Sequence, residues 1–321
     1  MFLLGRINNY ATAHILLFFF RVTEIFCVNT AVNNFLYSLS QSDFKKTAGN
    51  NYNCSSCLGQ INEFQTIPLL SIAGSGNTWI RFLIEQATGY STGSVYNDKS
   101  LLKKFKGENA WPSQKQSIVV KAHVWPRIIN FLNETGQVGV PGCIFILRNP
   151  KDSLLAEYTR RLTNYNHTRA IGFQELKNYI RNSTKNYNDF QKSVAAHAKK
   201  FRNLYRQSKF CRNIESEIES FILFYEDLKS SSQKLIEIMR NLVWYLNEKN
   251  PDHQRIFFRE DCLLSNHEGF YHRRHSEKDK ARIDREFVEL MSDKSKDWMG
   301  WAVTQVNISL EGILPESYSI F

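Results

Sequence analysis

Cysteine is scarce in this sequence. Six residues, Cys27, Cys54, Cys57, Cys143, Cys211 and Cys262, are spread over 321, which excludes a disulfide-built scaffold. Cys54 and Cys57 have C-x-x-C spacing, but no second such pair and no His pair at finger spacing completes a zinc site. A disulfide staple in a pre-domain arm is the other reading of that pair. Cys143 falls in an apolar run and reads as a small core residue. Cys211 and Cys262 have polar flanks and are candidates to pair in an oxidising compartment. Long hydrophobic runs are also lacking. The uncharged stretch Tyr10–Phe20 is cut off by Arg21 and Glu24, short of the roughly 20 apolar residues that a membrane span needs. With Arg6 upstream it resembles a signal h-region. Residues 1–28 therefore read as a secretory signal or signal-anchor, with a peripheral helix as the competing reading. No internal repeat, long low-complexity tract or strong metal site is present.

What is there is a chain with 42% hydrophobic and 22% charged residues, which excludes a wholly disordered polymer. The net charge of +10 suggests an anionic partner: a phosphorylated nucleotide, an anionic glycan, a nucleic acid or a membrane surface. Composition alone does not rank them. N-x-S/T sequons stand at Asn53, Asn133, Asn166, Asn182 and Asn307, numbers that an Asn-, Ser- and Thr-rich chain produces by chance.

Residues 29–66 are polar and lack sustained periodicity, and read as a linker or arm. Residues 67–321 read as one domain. It opens on Ile67–Ile72, a buried-strand type of run, followed by a glycine-rich turn and a helix over Trp79–Ala87 with Gly89 as its C-cap. Further strands are expected at Ser117–Lys121, Cys143–Leu147 and Ser220–Phe224. Pro150 marks the start of a helix to about Leu162. Two polar helices follow in 172–207, a long one over Asp227–Leu246, and an amphipathic one over Lys280–Met291. Apolar strands alternating with helices predict an α/β fold: a P-loop-like open parallel sheet with helices on both faces.

Three segments carry chemistry. The turn Gly74, Ser75, Gly76, Asn77, Thr78 is a phosphate-cradle type, because its glycines let backbone approach an anion at a helix N-terminus. It is neither a Walker A loop, since no Lys precedes the helix, nor G-x-G-x-x-G, since Trp79 fills the third glycine's place. Lys121 and His123 end the second strand at the sheet edge where such folds bind ligands, and His123 there is a candidate general base. Arg148 ends the third strand beside a helix N-terminus, where it can clamp a phosphate. A solvated charge run that caps the helix through Asp152 is the plainer reading of that segment.

These segments, in this order, resemble the PAPS-dependent sulfotransferase family (PAPS is 3′-phosphoadenosine-5′-phosphosulfate). The stretch Ser75, Gly76, Asn77, Thr78, Trp79 is similar to the family's S-G-x-T-W in the 5′-phosphosulfate loop. Lys121, Ala122, His123 followed by Pro126 resembles K-T-H-L-P, which implies that His123 is the base. Arg148, Asn149, Pro150, Lys151, Asp152 matches the family's R-N-P-K-D 3′-phosphate segment. Phe224 to Leu228 resembles Y-E-D-[ML], which implies that Tyr225 borders the adenine. The resemblance covers about residues 67–250 and is strongest to the sulfotransferase domains of WSC-domain-containing proteins, although no cysteine-rich WSC module is present.

The departures matter. The family's loop lysine is Gly74 here, so its role falls to Lys121 or Arg81. The family's helix serine is Ala156, with Ser153 as substitute. The C-terminal phosphate loop has only the basic Arg273 and Arg274 in its place. The resemblance implies a transferase that uses PAPS as donor and a hydroxyl, with glycans among the candidates, as acceptor. Its partners are then nucleotide and acceptor rather than nucleic acid. The implied location is the Golgi or secretory lumen with an N-terminal anchor, or alternatively the cytoplasm. A binding-only pseudoenzyme on the same fold is the chief rival, and a P-loop kinase the second.

Overall fold

A computed structural model describes residues 54–110, 114–123, 127, 130, 133, 140–163, 171–212, 220–269 and 285–309. Its core is a five-stranded, all-parallel sheet in the order β2-β3-β1-β4-β5. The strands are β1 (Pro68–Ser71), β2 (Gly93–Ser94), β3 (Val120–Ala122), β4 (Cys143–Leu147) and β5 (Ser220–Phe224). The expected α/β class and open parallel sheet are therefore observed. The strand expected at Ser117–Lys121 is β3, which lies over Val120–Ala122.

Strand side chains alternate between faces, and both faces are buried here. Leu70, Ile72, Val120, Ala122, Cys143, Phe145 and Leu147 join one apolar cluster. It is completed by α2 (Pro150–Leu162), α3 (Phe173–Arg181), α4 (Thr184–Arg212) and α8 (Asp293–Ser309). Phe190 sits edge-on to both Tyr158 (5.3 Å) and Phe287 (5.5 Å) in that layer. The alternate residues Leu69, Ile144 and Ile146 are buried on the other side. The helices α1 (Asn77–Thr88), α6 (Ser232–Glu248) and α7 (Glu260–Asn266) pack against one another there, and α6 also meets β5. Continuous apolar strands are what this two-sided cover requires.

Local signals set the ends of several elements. Gly89 caps α1 at φ +80°. Asn149 caps α2 by accepting from the Lys151 N–H at 3.0 Å, with Pro150 next in line. The helix expected over Asp227–Leu246 is instead two: a short α5 (Asp227–Ser230), then α6, whose N-cap Ser231 accepts from the Lys234 N–H. Residues 285–289 are helical, within the span expected from Lys280, whose first part lies outside the described residues.

The arm reading is corrected at its C-terminal end. The packed unit begins at Cys54, so the stretch from there to Ile67 belongs to it. Phe64 is buried and stacks on His253 at 4.7 Å, and the Gln65 N–H donates to Asn250 Oδ1 at 2.8 Å. Cys54 is bonded to Cys262 across 208 residues of sequence. A bridge of that span is worth roughly 2–5 kcal/mol. The Cys211–Cys262 pairing is thereby excluded, and Cys57 keeps a free thiol. Cys143 is buried as expected but is itself disulfide-bonded. No helix among the described residues is long and apolar enough to cross a membrane, and residues 1–28 lie outside them.

Candidate active site

Four segments meet at the carboxyl edge of the sheet: the β1–α1 turn, the end of β3, the β4–α2 junction and the end of β5. The turn is built from close approach. Gly74 has φ +89°, and a Cβ there would lie 2.0 Å from the Ser153 carbonyl oxygen of α2. Gly76 has φ +81°, and its Cβ would lie 2.4 Å from the Tyr225 ring. Both positions therefore exclude a side chain, sterically as well as by conformation. Gly74 leaves no room for a lysine side chain.

Arg148 locks this turn from the β4 side. Its Nη1 donates to the Gly74 carbonyl at 2.8 Å, and its guanidinium lies 4.3 Å over the Tyr225 ring. Tyr225 in turn meets Trp79 edge-on at 5.3 Å. The two aromatic positions and the arginine proposed for nucleotide contact are thus gathered into one stack. Trp79 is nearly buried and donates through Nε1 to the His267 carbonyl at 2.7 Å. Glu226, next to Tyr225, accepts from the Asn149 N–H at 3.0 Å and fixes the start of α2.

The other half of the edge is basic and lies on the α1 side, because Lys121 alternates with the core-facing Val120 and Ala122. The His123 Nδ1 donates to the Ser71 carbonyl at 2.9 Å, with Ser71 Oγ at 3.2 Å. Asn77 Nδ2 donates to Ser71 Oγ at 3.0 Å, tying the His123 pocket to the first turn of α1. Donation from Nδ1 to a carbonyl fixes the tautomer with its lone pair on Nε2. Burial, with Lys121 alongside, pulls the His123 pKa down to about 3, so the partly exposed ring is neutral at neutral pH. Lys121 is buried and makes no ion pair among the described residues. Burial, with Arg81 assisting, lowers its pKa to about 8. Tyr96 caps this half. Its hydroxyl accepts the His123 backbone N–H at 2.7 Å, and Arg127 lies 4.9 Å over its ring.

The turn suits an anion on two counts. Two donors, Ser75 Oγ and Arg148 Nε, are buried without a hydrogen-bond partner in the structure. The first N–H groups of α1, from Asn77, Thr78 and Trp79, are the ones that no carbonyl inside the helix can satisfy. The Ser75 N–H is not among the available donors, because it is given to the Ile72 carbonyl at 3.2 Å.

Two expectations are corrected. Arg81 is wholly buried, ion-paired with Glu108 at 2.5 Å, bonded to Thr92 and stacked on Phe105 at 4.2 Å. It has no path to a ligand. Ser153 is also wholly buried, with its hydroxyl against the Pro150 carbonyl (3.0 Å) and His197 Nε2 (2.7 Å) of α4, so that hydroxyl is engaged inside the fold rather than presented at the edge. Arg273 and Arg274 lie outside the described residues. Tyr96, Ser71, Glu226 and His197 were not foreseen, since each acts through a contact distant in sequence.

No family model matches the chain, and no solved structure does. The chain is similar to WSCD family members. One from Aedes aegypti is 30% identical over 209 residues, 64% of this chain and 56% of the relative. One from Drosophila melanogaster is 31% identical over 191 residues, 58% and 54% of the two. One from Drosophila pseudoobscura pseudoobscura is 32% identical over 169 residues, 52% and 46%. The chain spans about half the length of these relatives.

Proposed function

We propose that this chain is a sulfotransferase that moves the sulfuryl group of PAPS to a hydroxyl. The observation that carries the reading is the paired edge: an anion-type turn locked by Arg148 on one side, and on the other a neutral His123 beside a buried Lys121 that has no ion pair among the described residues. The donor supplies an activated sulfur whose bond to the bridging phosphate oxygen breaks as the acceptor oxygen attacks in line. His123 Nε2 takes the acceptor's proton. Lys121 neutralises charge on the transferring group and the departing oxygen, the task that Gly74 cannot perform. The α1 N-terminus holds the 5′-phosphate, and Arg148 the 3′-phosphate. Positioning and fixed charge are the main sources of rate in such a transfer.

A binding-only role is the second reading, favoured by the absence of room for a lysine at Gly74. Isothermal titration with the product nucleotide PAP, followed by a radiolabelled sulfate-transfer screen, separates the two. Binding with transfer supports the enzyme, binding without transfer the second reading, and no binding defeats both. We further propose a lumenal, glycan-directed setting, which fits the Cys54–Cys262 bridge. A single unglycosylated cytosolic species in animal cells would overturn that setting.

A further inference from the structure

Three cysteines and one arginine meet where the start of the packed unit crosses α1 and α7. Cys54 is bonded to Cys262 of α7. Cys57 is exposed with a free thiol, and its N–H (2.9 Å) and Sγ (3.6 Å) are both directed at the Gly89 carbonyl. Arg259 lies between them. Its Nη2 donates to Cys262 Sγ at 3.1 Å and its Nη1 to the Ser55 carbonyl at 3.2 Å. A Cβ on Gly89 would stand 2.4 Å from Arg259 Nη1, so the guanidinium also borders the turn on which Cys57 rests.

We infer that Cys57 is the attacking thiol of an internal disulfide exchange that releases α7. The Cys57 thiolate attacks Cys54 Sγ. A Cys54–Cys57 bond forms, the Cys54–Cys262 bond breaks, and Cys262 departs as thiolate. The proton given up by Cys57 ends on Cys262, so one disulfide replaces another and no oxidant or reductant is consumed. Arg259 assists at both ends, with positive charge near the nucleophile and a hydrogen bond to the leaving sulfur. The receiving pair has C-x-x-C spacing on an exposed to half-buried stretch, in which Ser56 is tied to Glu85 and Lys106 and Cys57 to Gly89 and Ser91.

Release would be felt at the sheet edge. The carbonyl of His267, just past α7, accepts from Trp79, and Asn266 Nδ2 donates to Gln86 Oε1 at 3.2 Å. The bridge thus holds α7 as a brace on α1, whose first turn is the anion cradle. This consequence rests on the proposed function, whereas the exchange itself does not.

The test is disulfide mapping of the full chain. The folded protein is held in mildly alkaline buffer, quenched with acid, alkylated and digested. The expected result is a Cys54–Cys57 peptide accompanied by alkylated Cys262, absent from Cys57→Ser and slower to form in Arg259→Met. Hydrogen exchange across Glu260–Asn266 should rise in the exchanged form. Finding only Cys54–Cys262 with alkylated Cys57 overturns the proposal, and so does a Cys57–Cys262 linkage. If exchange occurs and PAP affinity is unmoved, the coupling to the site fails alone. If PAP never binds, the proposed function fails and the mapping still decides the exchange.

Discussion

The Gly74 backbone lies so close to α2 that a Cβ at this position would stand 2.0 Å from the Ser153 carbonyl oxygen. Placing a lysine there, as the sulfotransferase resemblance suggests, is therefore destructive. Gly74→Lys combines a left-handed φ of +89° with a backbone clash. Strain of the first kind alone costs about 1–3 kcal/mol. Thermal unfolding should show a clear loss of stability with no gain in transfer rate. A stable, faster Gly74→Lys would mean that the turn is not held against α2.

Arg148 reaches the same turn from the opposite side. Because its Nη1 is committed to the Gly74 carbonyl, Arg148→Lys should loosen the loop slightly and remove the planar donor set. PAP affinity is expected to fall by about 1.5–3 kcal/mol, the value of hydrogen bonds to a charged group. Nucleotide lacking the 3′-phosphate should weaken much less in the same titration. Equal losses for both would confine Arg148 to shaping the loop.

The sheet and its edge were legible because their signals are local. The runs ending at Ile72, Leu147 and Phe224 are apolar throughout, and Pro150 and Gly89 stand where helices start and stop. β2 was not legible, since Gly93–Ser94 is only two residues long and is a strand through its pairing with β3. Nor was the fate of Arg81 or Ser153. A helix-borne arginine and an N-terminal serine read as ligand contacts until Glu108 and His197, distant in sequence, are seen to claim them. The expected Cys211–Cys262 pairing gives way to Cys54–Cys262 for the same reason: spacing says nothing about which cysteine a tertiary fold brings near.

His197 should make the protein acid-sensitive. Buried in α4 and bonded to Ser153, it has its pKa pulled down to about 3, chiefly by burial. Between about 3 and its ordinary 6.5, the unfolded chain binds a proton that the folded chain does not. Stability from this group is thus complete above about 6.5 and falls as pH drops through that window, by at most about 1.4 kcal/mol per unit. His123 contributes in the same direction. His197→Gln keeps a partner for Ser153 without the titration. Its melting temperature should therefore decline less steeply toward acid than that of the parent. Parallel slopes would show that His197 is not the titrating group.

Lys121 and His123 together set the expected pH profile of transfer. A free histidine acting as base would make kcat/KM rise with pH near 6.5. Here the ring titrates near 3, so the base is already neutral and no acid limb should appear above about pH 5. The limb to expect is on the alkaline side. On the proposed mechanism Lys121 carries its charge to neutralise the transferring group, and its pKa lies near 8 because burial and Arg81 oppose that charge. kcat/KM for the donor should therefore be flat through neutrality and fall as pH rises past about 8. Bound donor adds negative charge beside Lys121 and favours its protonated form, so the same limb in kcat should move to higher pH. Lys121→Met should lower the rate and erase the alkaline limb. His123→Ala should cost roughly 10²–10⁴ in kcat and leave PAP affinity within a few-fold. An inflection near 6.5 would show that His123 lacks the environment described here. An alkaline limb that survives Lys121→Met would assign the needed charge to another residue.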